Sequence, residues 1–229
     1  MIYPAILSDV FEVVQQQLLQ FKDSTRPIHI DIIDGEYTDN LTIALDQLSE
    51  LDLHSCTIDL HLMVVEPADV ILDIDPSLPI GTVFAQIERM RNPSEFAEQI
   101  TERGWKQGYA LDLYTPIEEL EECLVTKPSG VLIMNVKAGF QEQSFSDLSI
   151  EKLQAVRRDY STSSPQLEIL SDGGLNSAKL ISNVFEQGAT SVAVGSYLWK
   201  QSSPAEALAE LEHQLKNQLK NAQTDQPKS

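Results

Sequence analysis

Two histidines and two aspartates are the residues in this chain whose types and spacing suit chemistry. His29 and Asp31 sit one residue apart in His29-Ile30-Asp31-Ile32-Ile33-Asp34-Gly35, His61 lies in Asp59-Leu60-His61-Leu62-Met63, and Asp172 leads Asp172-Gly173-Gly174. Side chains of an extended segment alternate between its two faces, so His29 and Asp31 share one face while Ile30 and Ile32 take the other. Two imidazoles and two carboxylates form an N₂O₂ set suited to one divalent ion such as zinc, iron, manganese or cobalt. The residue types leave a second reading open, in which buried His and Asp satisfy one another and the nearby backbone. His54, in a loop, and His213, among Glu, Gln and Lys on the last helix, read as solvated.

These residues have to be positioned by the elements around them. Short runs rich in Val, Ile and Leu predict strands at 3–7, 27–33, 57–63, 80–84, 109–113, 130–135, 166–170 and 191–195. Amphipathic stretches predict helices at 10–22, 41–51, 67–71, 93–103, 116–121, 150–160 and 177–187, with a closing helix from 204 to about 220. Strict strand–helix alternation calls for a parallel sheet with crossover helices. Even spacing, and no Gly-x-Gly-x-x-Gly turn after the first strand, favour an α/β fold of the (β/α)₈ barrel type over an open doubly wound sheet. The expected domain is a single barrel over 1–220, followed by a polar tail over 221–229 with too little apolar surface to order. In a barrel, chemistry gathers at the C-terminal strand ends, where the four residues above are predicted to converge.

Composition narrows the partners. The 229 residues carry 35 Asp plus Glu against 16 Lys plus Arg, a formal net charge of -19. Such a surface repels a phosphate backbone and an anionic bilayer, so neither nucleic acid nor membrane is expected as a partner. A small phosphorylated metabolite is still admissible, because backbone N–H groups can hold it locally. Cys56 and Cys123 are too few and too far apart for a disulfide framework or a zinc motif, and they read as buried thiols. The start, MIYPAILSDV, lacks the basic and long apolar regions of a secretory signal, which leads to the expectation of a cytoplasmic protein.

Taken in order, Pro4-Ala5-Ile6-Leu7-Ser8, the 29–35 segment, Asn40-Leu41-Thr42, the segment from Asp59 to Pro67, the segment from Leu132 to Phe140 with Gln143, Asp172-Gly173-Gly174 and Gly195-Ser196 resemble the ribulose-phosphate 3-epimerase family. The resemblance implies a barrel of the ribulose-phosphate-binding type. It implies that His29, Asp31, His61 and Asp172 hold one divalent metal ion, and that Asp31 and Asp172 are also the catalytic acid/base pair. It further implies a substrate pocket lined by Met63 and Met134, with Gly173, Gly174, Gly195 and Ser196 cradling a phosphate. The implied reaction inverts C3 of a ketopentose phosphate, ribulose 5-phosphate to xylulose 5-phosphate, through an enediolate. Relatives of this kind associate through barrel faces, so a homo-oligomer, most simply a dimer, is expected.

The chain also departs from the family pattern. Ala5 stands where the family has Ser, and Gln86 falls where it has His on strand four. Val136-Lys137-Ala138 lacks the usual Pro, and Ile33 replaces a Met. The glycine-rich loop after strand six reads Gly139-Phe140-Gln141-Glu142-Gln143, without its two inner glycines. If a phosphate binds there, Glu142 is expected to point into solvent, since a carboxylate within ~4 Å of the dianion is repelled by about 1 kcal/mol even in water. An inward Glu142 would suit an unphosphorylated polyol. An isomerase acting on a different sugar or polyol, and a non-catalytic metal-binding or regulatory barrel, are the alternatives.

Overall fold

The computed structural model describes residues 1–160 and 164–224. Among them are β1 (Ile2–Ile6), β2 (Ile28–Ile33), β3 (Ile58–Met63), β4 (Ile80–Gln86), β5 (Lys106–Leu111), β6 (Gly130–Met134), β7 (Glu168–Asp172) and β8 (Ser191–Val194). Each pairs in parallel with the next, and β8 returns to β1 through Ile2↔Val192, Tyr3↔Ala193 and Pro4↔Val194, closing the barrel. The helices around it are α1 (Phe11–Leu19), α2 (Pro67–Ile71), α3 (Pro93–Glu102), α4 (Glu121–Leu124), α5 (Leu148–Tyr160), α6 (Ala178–Glu186), α7 (Ser196–Trp199) and α8 (Pro204–Thr224). The chain therefore has the predicted (β/α)₈ fold, and no described helix is long and apolar enough to cross a membrane.

Period-two alternation divides each strand between two environments. Ile28, Ile30 and Ile32 of β2, and Ile58, Leu60 and Leu62 of β3, join the layer packed under the helices, where each fully buried aliphatic side chain contributes about 1.5–3 kcal/mol. Their alternate neighbours point into the barrel. There Phe84 fills the middle, and it can do so because Gly108 and Gly130 face it: a Cβ on either would meet its ring at 2.4 or 2.8 Å. The N-terminal end of the barrel is sealed by polar groups instead. Tyr3 Oη and Ser191 Oγ donate to Glu168 at 2.7 and 2.6 Å, and the Thr82 amide donates to buried Asp59 at 2.7 Å.

Helix starts follow local chemistry. Asn92 accepts from the Glu95 amide at 3.2 Å ahead of Pro93, and Ser177 accepts from the Leu180 amide at 3.3 Å.

Several elements differ from expectation, among them β5, which is predicted over 109–113 and runs Lys106–Leu111. The helix predicted over 41–51 is absent except for a 3₁₀ turn at Asp46–Glu50. Thr42 is held extended beside the end of β2, its amide donating to the Ile33 carbonyl and its hydroxyl accepting from the Ile33 amide, while the Ile43 amide donates to Ser8. Pro116 opens a 3₁₀ turn, Ile117–Leu120, before the short α4, in place of one helix over 116–121. β7 begins two residues later than predicted because Ser164 and Leu167 close a turn, so Asp172 is the last residue of a strand and not the first of a loop. The closing helix continues to Thr224; the rest of the expected tail, 225–229, lies outside the described residues.

Candidate metal centre

Strand register brings the four predicted residues together. Asp31 of β2 is paired with His61 of β3, and His29 lies one pleat deeper on the same inward face. Asp172 comes from β7, beside Met134 of β6. One ligand atom from each of His29, Asp31, His61 and Asp172 lies within 4.8 Å of all the others. His61 Nδ1 is 2.8 Å from Asp31 Oδ1 and 3.8 Å from Asp172 Oδ2, while His29 Nε2 is 3.6 and 4.0 Å from the same two oxygens.

His61 and Asp31 are within hydrogen-bond distance, but the other contacts of the cluster fit a cation better than mutual hydrogen bonds. Both ring nitrogens of His29 are buried and lack hydrogen-bond partners, and its Nε2 faces two carboxylates just beyond hydrogen-bond reach. Ligands that each sit about 2.0–2.2 Å from one ion fall at separations of this order. Charge tells the same story. Burial opposes a proton on His29, but the carboxylates of Asp31, Asp172 and Asp59 outweigh it and hold its pKa at about 9. Burial also opposes ionisation of Asp31, yet the two rings overcome it and lower its pKa to about 2. Burial, followed by the charge of Asp31, pushes Asp172 up to about 6. The cluster draws in positive charge, and in the absence of a metal it takes it up as a proton on His29.

Around the cluster lie residues whose roles sequence motifs did not reveal. Gln86, at the end of β4, is fully buried; the amide orientation that satisfies both of its ends has Oε1 accepting from His61 Nε2 at 3.1 Å, while its nitrogen donates to Glu88 at 2.8 Å and to the Ala110 carbonyl at 3.2 Å. Glu88 in turn accepts from the Tyr37 hydroxyl and the Asp112 amide. With Nε2 occupied in this way, Nδ1 of His61 presents its lone pair toward the carboxylates. Asn135 accepts from Ser171 Oγ at 2.9 Å and donates to the Gly173 carbonyl at 3.0 Å, tying the end of β6 to the turn that follows Asp172. The mismatch with the family histidine marked Gln86 in the sequence, but its partners could not be read there.

A cavity of about 330 Å³ opens above the cluster. Asp31, Asp172, Met63 and Met134 line its floor, and Gly173, Gly174, Gly195 and Ser196 line its wall. Every predicted substrate residue thus borders the cavity that Asp31 and Asp172 border, while His29 and His61 lie buried beneath it. Gly173 and Gly174 have φ of +100° and +68°, and a Cβ on them would meet Val136 and the Phe145 amide at 2.5 Å, so only glycine fits this turn. The altered loop forms the rim. Gln141 reaches across the mouth, donating to the Leu7 carbonyl and facing Ser196 Oγ. Glu142 also borders the cavity; its side chain is largely exposed to solvent, and its carboxylate pairs there with Lys200 at 2.8 Å.

A buried metal-ligand set opening into a cavity at the C-terminal strand ends defines a metal-binding barrel enzyme. The chain matches the family described as "Ribulose-phosphate 3 epimerase family" over residues 1–199. It is 32% identical over 188 residues to a cytoplasmic ribulose-phosphate 3-epimerase isoform of Oryza sativa subsp. japonica, covering 80% of each chain. It is also 32% identical over 190 residues to a chloroplastic ribulose-5-phosphate-3-epimerase of Arabidopsis thaliana, covering 79% of this chain and 64% of that one. Among solved structures, the tryptophan synthase complex of Pyrococcus furiosus shares the fold alone, with TM-score 0.64, 16% identity, and coverage of 94% of this chain and 97% of that one. This chain belongs to the ribulose-phosphate 3-epimerase family, and it is a metal-dependent epimerase of that family.

Proposed function

We propose that this protein inverts C3 of a ketopentose phosphate, interconverting ribulose 5-phosphate and xylulose 5-phosphate, with one zinc, iron, manganese or cobalt ion held by His29, Asp31, His61 and Asp172. The observation that carries the reading is the convergence of those four residues beneath a cavity shared with Gly173, Gly174, Gly195 and Ser196. The ion supplies the positive charge that lowers the energy of negative charge building on two adjacent substrate oxygens as a proton leaves C3. The remaining steps belong to the chain. One of Asp31 and Asp172 takes the C3 proton through its carboxylate oxygen, and the other returns a proton to the opposite face, because a single base would return it to the face it came from. Met63 and Met134 exclude water beside the reacting carbon. The backbone amides of Gly173, Gly174, Gly195 and Ser196 hold the phosphate away from the carboxylates.

A second reading, an isomerase of an unphosphorylated polyol, is favoured by the Gln141 and Glu142 side chains at the cavity rim. Exchange at C3 in deuterated water, measured on ribulose 5-phosphate and on ribulose with metal-replete protein, separates the two. Exchange confined to the phosphorylated sugar supports the first reading. Exchange of free ribulose alone supports the second, and exchange of neither at full metal occupancy points to an isomerase of another sugar or to a non-catalytic metal-binding barrel. A cytoplasmic location is proposed with the enzyme, on the two buried thiols.

A further inference from the structure

The cavity presents a problem of charge. A substrate dianion must enter a chain of net charge -19, into a cavity already bordered by Asp31, Asp172 and Glu142. Among the described residues, Lys200 is the only Lys or Arg that lines that cavity. It lies one turn beyond Ser196, its amide donating to the Ser196 carbonyl at 3.3 Å, and residues four apart on a helical turn share a face. The Lys200 ammonium is therefore on the side of the cavity where Ser196 contributes to the phosphate cradle.

That ammonium is engaged by a carboxylate of the loop after β6. Glu142 and Lys200 are 2.8 Å apart with side chains 63% and 61% exposed, so the pair is a weak one that a better anion can displace. Glu142 holds a φ of +60°, a left-handed conformation that a residue with a Cβ seldom adopts. Two neighbours keep the loop in this position, Gln141 through the Leu7 carbonyl and Gln143 through the carbonyls of Lys137 and Phe140.

We propose that Lys200 is the charge partner of the substrate phosphate, and that Glu142 occupies Lys200 as an internal competitor which the incoming dianion displaces. The inference rests on the reading that a phosphorylated ketose binds here. It gives the altered loop a specific role. The two inner glycines of the family pattern are gone, and the loop that stands in their place controls the availability of Lys200. A doubly charged phosphate outcompetes a single carboxylate for one ammonium, while an uncharged sugar leaves the Glu142–Lys200 pair in place. The pair thus favours phosphorylated over free ketoses, and Lys200 is a specificity-determining residue.

The test uses full-length, metal-loaded protein and two probes, inorganic phosphate followed by calorimetry and ribulose 5-phosphate followed by turnover. Lys200→Met should weaken phosphate binding and raise KM about tenfold with kcat little changed, and Lys200→Arg should restore most of the loss. Glu142→Gln should tighten phosphate binding several-fold by freeing Lys200. In Glu142→Gln/Lys200→Met that gain should vanish, because the carboxylate acts through the lysine. Metal content equal to wild type shows that each variant has folded. Phosphate binding unchanged in Lys200→Met, or absent in wild type, overturns the inference. It is equally overturned if Glu142→Gln gains as much without Lys200 as with it, since the carboxylate would then act by direct repulsion. Wild type that binds phosphate but does not turn over ribulose 5-phosphate counts against the proposed reaction alone, and the phosphate measurements still decide the role of Lys200.

Discussion

Gln86 holds the far nitrogen of His61 at 3.1 Å, and through that one contact the end of β4 sets which nitrogen of the ring faces Asp31 and Asp172. Partners of this kind fix the tautomer of a ligating histidine, and their loss costs about 10–100-fold in metal affinity. Gln86→Leu should therefore lower metal affinity by about that factor, and Gln86→Glu should lower it as well, because its second carboxylate oxygen would meet the Glu88 carboxylate and the Ala110 carbonyl that the amide nitrogen serves. Chelator-competition titration measures both. Equal affinity in Gln86→Leu and wild type would remove Gln86 from the metal centre.

Metal affinity should fall as the solution is made acidic, in two stages. The metal-free site keeps a proton on His29 up to a pH of about 9 and one on Asp172 up to about 6. An ion takes the deprotonated forms and must expel these protons. Lowering the pH from 9 toward 6 thus costs about tenfold in apparent affinity per pH unit, with a steeper loss below 6. Competition titrations from pH 5 to 10 would show the break; an affinity independent of pH would mean that His29 is not a ligand.

Asp59 should be a source of instability at neutral pH. Its carboxyl is buried at the N-terminal end of the barrel, and burial pushes its pKa from 3.8 up to about 6. A raised carboxyl pKa means that the folded state holds the proton more tightly than the unfolded chain, so stability declines as pH rises from about 4 to 6 and stays lower above that. Asp59→Asn keeps an oxygen for the Thr82 amide and carries no charge. It should gain up to about 3 kcal/mol at pH 8 and little at pH 4. Thermal melts of both proteins at the two pH values check this, and an equal shift at both would exclude ionisation as the cause.

A homodimer is proposed on the general tendency of soluble homo-oligomers toward two-fold symmetry. Light scattering should return twice the chain mass of 25.5 kDa, where a value equal to that mass across a broad concentration range would refute the dimer.

The barrel was legible because alternation survives wherever a strand has two buried faces of different character. The Ile28-His29-Ile30-Asp31 run states its own register, and Pro67 marks the start of α2. The 41–51 segment misled because its leucines have helical spacing, yet the pairing of Thr42 with Ile33 is a tertiary bond that no local pattern announces. The same limit applies to the site. Strand ends could be found one at a time, but the Gln86–His61 contact and the Glu142–Lys200 pair join residues from different strand–helix units, and only the closed barrel brings them within reach.

Closure also fixes when during synthesis the protein can become competent. The residues that gather at the metal centre come from β2, β3 and β7, while the first strand finds its second neighbour only in the last. A ribosome that has released the chain only as far as Ser171 has made His29, Asp31 and His61 but neither Asp172 nor the strand that completes the ring. Until then the nascent chain exposes the edges of β1 and of its latest strand, which are templates for pairing with other chains. The stretch from Asp172 to Val194 therefore supplies both the final metal ligand and the protection against aggregation, so a product truncated before it would lack the two together.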